Sequence, residues 1–425
     1  MDELAARIQA CIERNRDEIL NFLSEYIQQD STNPALGENC APYACHEWLA
    51  NRLERMQLFD KVDFWKLDGG FSNVVAVKAG EGEPLMFAAH SDTVPVTETQ
   101  LAAWNREAGP LSGLVKDGNI YGRGASDMKA GGAAPVMAMR VLKELGLKPR
   151  RPIYLTYVMS EENGGRSVGV DSIVDRGYMA RECIVMEPSD NLSIRPCIQG
   201  EFYYAITVYG KSYHLASRQQ TIYPRGYTVD TVPGKNAIEL AIEIIEELQK
   251  MERELGLYVP HEMTEWGSTT FNISGIQSKG IFSAGAEECT ITGSMLYNPS
   301  ITQDEAFGYF QEAVDRAASR SFWMRKHPPK IELPYLLPAK PPVNTGVEHP
   351  LCKQLARATE AYGKQPVFEA ELGTSDANYL QDRGVSAVTM GPGRNEYGVH
   401  GTDEYIPVDV YLDAVARYAY FLATL

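Results

Sequence analysis

Between residues 3 and 29, apolar side chains recur at Leu4, Ile8, Cys11, Ile12, Ile19, Leu20, Leu23 and Ile27. That three-to-four spacing predicts one amphipathic helix, ended by Ser31-Thr32-Asn33-Pro34. A second helix is expected from about Pro42 to Met56. The period then shortens. Residues 74–77, 85–89, 153–158 and 183–186 are brief apolar runs between polar turns, the signature of buried strands, and 130–145 between them reads as a helix. Strands alternating with helices predict an α/β domain whose mostly parallel sheet carries helices on both faces. Ligands of such sheets lie beyond the carboxyl ends of the strands. His90, Glu161, Glu162 and Glu187 all fall there.

From about residue 199 the pattern changes. Residues 203–209, 268–276 and 289–297 alternate, and helices are expected over 236–256 and 303–319. This reads as an α+β layer with antiparallel strands, and the Pro-rich stretch 327–343 as the return connection. The expected organisation is a discontinuous domain, 1–198 with 321–425, interrupted by an inserted domain, 199–320.

Composition narrows the partners. A net charge of −16 repels nucleic acid and anionic membranes. The first 29 residues are charged throughout, without the apolar core of a signal peptide. No run approaches 18 apolar residues, the length of a membrane span. The seven cysteines are irregularly spaced and form no CxxC pair, so neither a disulfide framework nor a zinc knuckle is expected. A cytoplasmic protein with free thiols and a small-molecule substrate is the reading.

Several loops carry chemistry. His90-Ser91-Asp92 suits a metal-binding imidazole whose other nitrogen is held by a carboxylate; alone, it is equally a loop histidine beside a turn-forming Asp. The glycine-rich segment 122–132 lacks the GK[ST] ending of a phosphate loop and places Asp127 where such a loop wants neutral or basic groups. An Asp there can bridge two cations. Glu161-Glu162, read as extended chain, would point one carboxylate to metal and the other to substrate; in isolation the pair is a solvated acidic turn. Glu187 and His400 add a further carboxylate and imidazole. Together they form a hard N/O donor set for two divalent ions, zinc first, with manganese or cobalt as alternatives.

The segments MFAAHSDTVPV (86–96), DGNIYGRGASDMKAGG (117–132), SEENGG (160–165), MEPSD (186–190), PGKNAIE (233–239), GTSDA (373–377), GPG (391–393) and HGTDEYI (400–406) resemble, in order, those of the M20 metallopeptidase and deacylase family. That family includes acetylornithine deacetylase, succinyl-diaminopimelate desuccinylase, aminoacylase and glutamate carboxypeptidase. The resemblance implies a zinc-peptidase-like catalytic domain with a lid inserted in it, the lid also forming a homodimer. It implies two metal ions per subunit. His90, Asp127 and Glu187 would hold one, and Asp127, Glu162 and His400 the other. Asp92 would orient His90, Glu161 would be the general base, and His214 of the lid would polarise the scissile carbonyl in its own or the partner subunit. The implied reaction is metal-assisted hydrolysis of a C–N bond in an N-acyl amino acid or small peptide.

Two departures stand out. An Asn-bearing turn and an Arg-bearing strand end, usual in the family's lid, are replaced here by Phe282-Ser283-Ala284-Gly285-Ala286 and Ser294-Met295-Leu296-Tyr297. A buried substrate carboxylate needs a cation or several hydrogen bonds. Either the substrate lacks that group, or Arg394 or Arg218 replaces the arginine; Asn272 is a further candidate contact. The segment 212–232 is also stretched and tyrosine-rich (Tyr213, Tyr223, Tyr227), which suits an aromatic substrate. An aromatic amide or an aromatic amine is therefore the alternative substrate, with an aminohydrolase activity in the second case. A metal-binding protein without catalysis is the remaining reading, against which the intact set of catalytic residues stands.

Overall fold

The apolar runs become the strands of a computed structural model that describes every residue except 1, 38–40 and 42. One compact unit comprises Met1–Cys197 with Val343–Leu425, and a second comprises Ile198–Pro342. In chain order the first segment carries β1 (Lys61–Lys66), β2 (Ser72–Lys78), β3 (Leu85–His90), β4 (Leu114–Lys116), β5 (Asn119–Tyr121), β6 (Ile153–Val158), β7 (Glu182–Pro188) and β8 (Ile194–Ile198). The second unit carries β9 (Gly200–Tyr209), β10 (Thr270–Ser278), β11 (Glu288–Tyr297) and β12 (Lys330–Glu332). After the return come β13 (Val343–Asn344), β14 (Phe368–Glu371), β15 (Ser386–Gly391) and β16 (Tyr405–Pro407).

The large sheet of the first unit runs β1-β2-β6-β3-β7-β15-β8-β13, with β14 beside β8. Its centre, β6, β3, β7 and β15, is parallel, and β1, β2 and β8 pair antiparallel. The sheet is thus mixed, with its parallel register at the middle. Both faces of β3 are buried, as a strand covered on two sides requires. Leu85, Phe87 and Ala89 enter the main core, where Phe87 meets Tyr418 and Phe421 edge-on. Met86, Ala88 and His90 alternate to the other face. The helix Ala130–Glu144 lies close to β7, because Gly131 has no side chain: a Cβ there would sit 2.2 Å from the Met186 carbonyl.

The expected first helix is two, Glu3–Arg14 and Arg16–Ile27. Asn15 breaks it by turning its side-chain amide onto the Cys11 carbonyl (2.8 Å) and the Glu144 carboxylate (2.9 Å), competing with the helical ladder. The next helix is Ala44–Met56; the expected start at Pro42 lies outside the described residues, as does Cys40. The six described cysteines are buried free thiols. No helix among the described residues is long and apolar enough to cross a membrane.

The second unit is an antiparallel sheet, β10-β11-β9-β12. Cys289, Ile291, Met295 and Tyr297 of β11 and Phe202, Tyr204, Ile206 and Val208 of β9 alternate inward, into one core with the helices Ala237–Tyr258 and Gln303–Arg320. This unit extends past the expected return at 320, through Pro342. Trp323 and Met324 are buried in its core, and β12 pairs with β9, which ties residues 321–342 to it.

Candidate metal centre

Parallel pairing of β3 with β6 and β7 brings three strand ends to one edge of the sheet. His90 is the last residue of β3, Glu161 and Glu162 follow β6, and Glu187 is near the end of β7. Asp127 reaches the same place from the irregular turn Ala125–Lys129 that precedes the buried helix. His400 arrives from the loop after β15.

Asp127 is the hinge of the arrangement. Its Oδ1 lies 3.1 Å from His90 Nε2, and its Oδ2 lies 3.2 Å from His400 Nε2. Glu187 Oε1 is 3.6 Å from His90 Nε2, and Glu162 Oε2 is 3.2 Å from His400 Nε2. One carboxylate therefore faces two separate His–Glu pairs. Donor atoms of His90, Asp127 and Glu162 fall within 4.8 Å of one another, as do those of His90, Glu161 and Glu187. His90 and Glu187 thus share their neighbourhood with Glu161, which stands within ligand range.

Hydrogen bonding directs the donors. His90 Nδ1 donates to the Asp92 main-chain carbonyl at 2.9 Å, leaving the Nε2 lone pair aimed at two carboxylates. Such an arrangement suits a cation between them. The Asp92 carboxylate is 3.6 Å from that nitrogen, so the carbonyl of this residue, rather than its side chain, makes the orienting bond. The carboxylate accepts instead from Asn33 Nδ2 (2.7 Å) and from the backbone N–H groups of Glu161 (3.3 Å) and Glu162 (3.0 Å). It holds the two-glutamate loop. That loop is a turn, closed by Gly164 N–H donating to the Glu161 carbonyl at 2.8 Å, and not the extended chain assumed from sequence. Both carboxylates still line one cavity of about 180 Å³.

The electrostatics match the donor chemistry. Burial pushes Glu162 up to about 7 and raises Glu187 well above the usual carboxylate range. His400 is pushed up to about 10 by its bonds to Asp127 and Glu162. Asp127 is held low by the two histidines despite its burial. Several carboxylates crowded in one place with imidazole lone pairs are costly without positive charge. Hard oxygen and nitrogen donors in this number fit divalent zinc, manganese or cobalt.

Supporting residues that sequence reasoning missed are Glu404, Asn33 and Arg195. Glu404 accepts from the N–H groups of Gly124 (3.0 Å), Ser126 (3.0 Å) and Asp127 (3.1 Å) and pairs with buried Arg123 at 2.8 Å. Its place inside the HGTDEYI segment was the available signal. Arg195 had none, since its partner in the cavity lining, Glu371, is on the distant strand β14.

Four further residues are candidates from the sequence. Arg394 is in the first unit, 3.7 Å from Asp190 through Nε, and does not line the cavity, although its neighbour Asn395 does. His214, Arg218 and Asn272 belong to the second unit. His214 is exposed, its Nδ1 accepting from the Ala216 N–H at 3.2 Å. Arg218 is engaged by the Tyr213 hydroxyl (2.8 Å) and by Glu239. Asn272 is exposed on β10.

Residues 86–424 match the model of Peptidase family M20/M25/M40. The chain is 24% identical over 425 residues to N-formyl-4-amino-5-aminomethyl-2-methylpyrimidine deformylase of Bacillus subtilis, covering 96% of this chain and 95% of the relative. It is 26% identical over 410 residues to succinyl-diaminopimelate desuccinylase of Alkalilimnicola ehrlichii, covering 94% and 96%. Among solved structures, the Bacillus subtilis YXEP protein, described as a dinuclear metal-binding peptidase, superposes with a TM-score of 0.64 at 13% identity, covering 97% of this chain and 98% of that one.

Proposed function

Since this chain belongs to peptidase family M20/M25/M40, whose members are metal-dependent amidohydrolases and peptidases, we propose that it hydrolyses the amide C–N bond of a small N-acyl compound, with two divalent ions per subunit. The observation that carries the proposal is Asp127, whose two oxygens face His90 with Glu187 on one side and His400 with Glu162 on the other. His90, Asp127 and Glu187 would hold one ion, and Asp127, Glu162 and His400 the other. Zinc is the first candidate, with manganese or cobalt as alternatives. When bound, the ions supply Lewis-acid polarisation of a carbonyl and acidify water.

The chain's own groups do the rest. Glu161 takes the proton of the attacking water and passes it to the leaving nitrogen. Asp92 keeps Glu161 in reach by gripping its backbone N–H. The first unit acts as the catalytic domain and the second as the lid. His214 keeps, as part of the proposal, the carbonyl-polarising role that family resemblance gives it. A homodimer through the second unit is likewise proposed, and light scattering of the purified protein measures it.

A second reading is favoured by the lid's missing arginine and by the deformylase relative, whose named substrate is an aminopyrimidine. In that reading the substrate is an aromatic amide or amine without a carboxylate. The test is a screen of zinc-, manganese- and cobalt-loaded protein against N-acyl amino acids, dipeptides, aromatic formamides and aromatic amines, read by released amine or ammonia. Fast turnover of N-acyl amino acids supports the first reading. Turnover confined to aromatic compounds supports the second. Silence across the panel with all three metals overturns both.

A further inference from the structure

The cavity beside the metal donors is lined by five carboxylates: Asp127, Glu161, Glu162, Glu187 and Glu371. Neither lysine nor arginine is among its described lining residues. The first four surround the proposed ions, whose charge they match. Glu371 is different. It ends β14, and its Oε2 accepts from Nη1 of Arg195 on the adjoining strand β8. Its other oxygen, Oε1, lies next to Gly373 of the cavity lining, where a built Cβ would sit 3.8 Å away, and the carboxylate also accepts the Gly373 N–H.

Arg195 does not neutralise this wall. The same guanidinium pairs with Asp190 at 2.5 Å and approaches Glu369 at 3.6 Å. Arg394 adds a second cation, 3.7 Å from Asp190. Three carboxylates (Asp190, Glu369, Glu371) against two guanidiniums leave one negative charge. A substrate carboxylate placed beside Glu371 meets a like charge; an ammonium or protonated ring nitrogen meets a partner already fixed in place.

We propose that Glu371, anchored by Arg195, is a specificity-determining residue that selects substrates whose non-acyl half carries a cationic nitrogen and rejects those carrying a carboxylate. The inference rests on the hydrolase reading above and names the substrate class of that site. Glu371 does not take part in bond breaking. It orients the departing half by one charge-assisted hydrogen bond through Oε1, while Arg195 restricts its rotamers.

The test uses three straight-chain formamides of equal length ending in ammonium, methyl or carboxylate, together with the three corresponding amines as product-side ligands. The metal-loaded protein and its Glu371→Gln and Glu371→Asp variants are compared by kcat/KM and, separately, by calorimetric binding of the amines. Wild type should favour the ammonium compound over the methyl compound by about 10- to 100-fold, the worth of one charge-assisted hydrogen bond, and the carboxylate compound should be poorest. Glu371→Gln should erase that preference by lowering kcat/KM for the ammonium compound far more than for the methyl compound. Glu371→Asp, which keeps the charge, should retain part of it. Equal losses on all three substrates, or a wild-type preference for the carboxylate, overturn the proposal. Hydrolysis without charge preference leaves the hydrolase reading standing and removes this one. Charge-selective amine binding lost in Glu371→Gln, with no hydrolysis, does the reverse.

Discussion

Glu161 and Glu162 are neighbours in sequence with different surroundings. Glu162 bonds His400 within the donor set, whereas Glu161 stands by His90 and Glu187. Glu161→Gln keeps shape and removes the base, so kcat should fall about 10²–10⁴-fold while metal content by mass spectrometry stays near that of wild type. Glu162→Gln should lose about one ion per subunit. The reverse pattern would exchange the two roles. Removing a carbonyl-polarising donor costs about 10²–10³ in rate; His214→Ala should slow turnover by that order with full metal content, and unchanged kinetics would remove it from the mechanism. Asp92 acts through others. Its fully buried carboxylate accepts from one side-chain amide and two backbone N–H groups. Asp92→Asn replaces one acceptor oxygen by a donor facing those N–H groups, a loss of about 1–3 kcal/mol. The expected result is a lower Tm together with lower kcat, and a change in neither would show that Asn33 and the turn hold the loop unaided.

At the scale of elements, the site depends on a loop held from a distance in sequence. Glu404 directly precedes β16, which pairs with β5, and this pairing sets it under the Asp127 turn, where it accepts three backbone N–H groups. Arg123, also buried, depends on it. Glu404→Gln should weaken metal binding about 10- to 100-fold, as loss of such outer support does, read by competition with a chromophoric chelator. Unaltered affinity would mean that the turn is held by its own chain. These contacts also explain which parts were legible beforehand. Strand ends were readable because apolar runs stop abruptly at His90, Glu161 and Glu187. The sheet's antiparallel flank was not, since β2 and β6 carry apolar runs that look alike in either direction. The break at Asn15 was hidden because apolar spacing continues across it. Residues 321–342 group with the second unit through Trp323 and Met324, which stand apart from any periodic run and so give no pattern to read. The Arg195–Glu371 pair joins positions 176 residues apart, and no local pattern reports such a partner.

For the molecule as a whole, the donor cluster couples metal to folding stability through protons. Stripped of metal by a chelator, the folded chain holds Glu162 up to about 7 against an ordinary 4.5, and His400 up to about 10 against 6.5. Glu187 and His90 are raised as well. A group with a raised folded pKa binds more protons folded than unfolded, so its stabilisation is complete below the unfolded value and lost as pH rises through the folded one. For Glu162 the loss runs from pH 4.5 to 7 and for His400 from 6.5 to 10. Asp127, held low, has the opposite sign, but its effect is confined to pH below 3.8. Between pH 5 and 9 these shifts therefore add in one direction. The chelated protein should lose a few degrees of Tm, about 2–6 °C, over that range. Metal binds the deprotonated ligands and stabilises by mass action, so the gap in Tm between zinc-loaded and chelated protein should widen as pH rises. A calorimetric series at pH 5, 6, 7, 8 and 9 measures both curves, with the Glu162→Gln variant as control. A gap that stays constant with pH would mean that the protons of this cluster are not linked to metal binding, and that its carboxylates are held by the fold for another purpose.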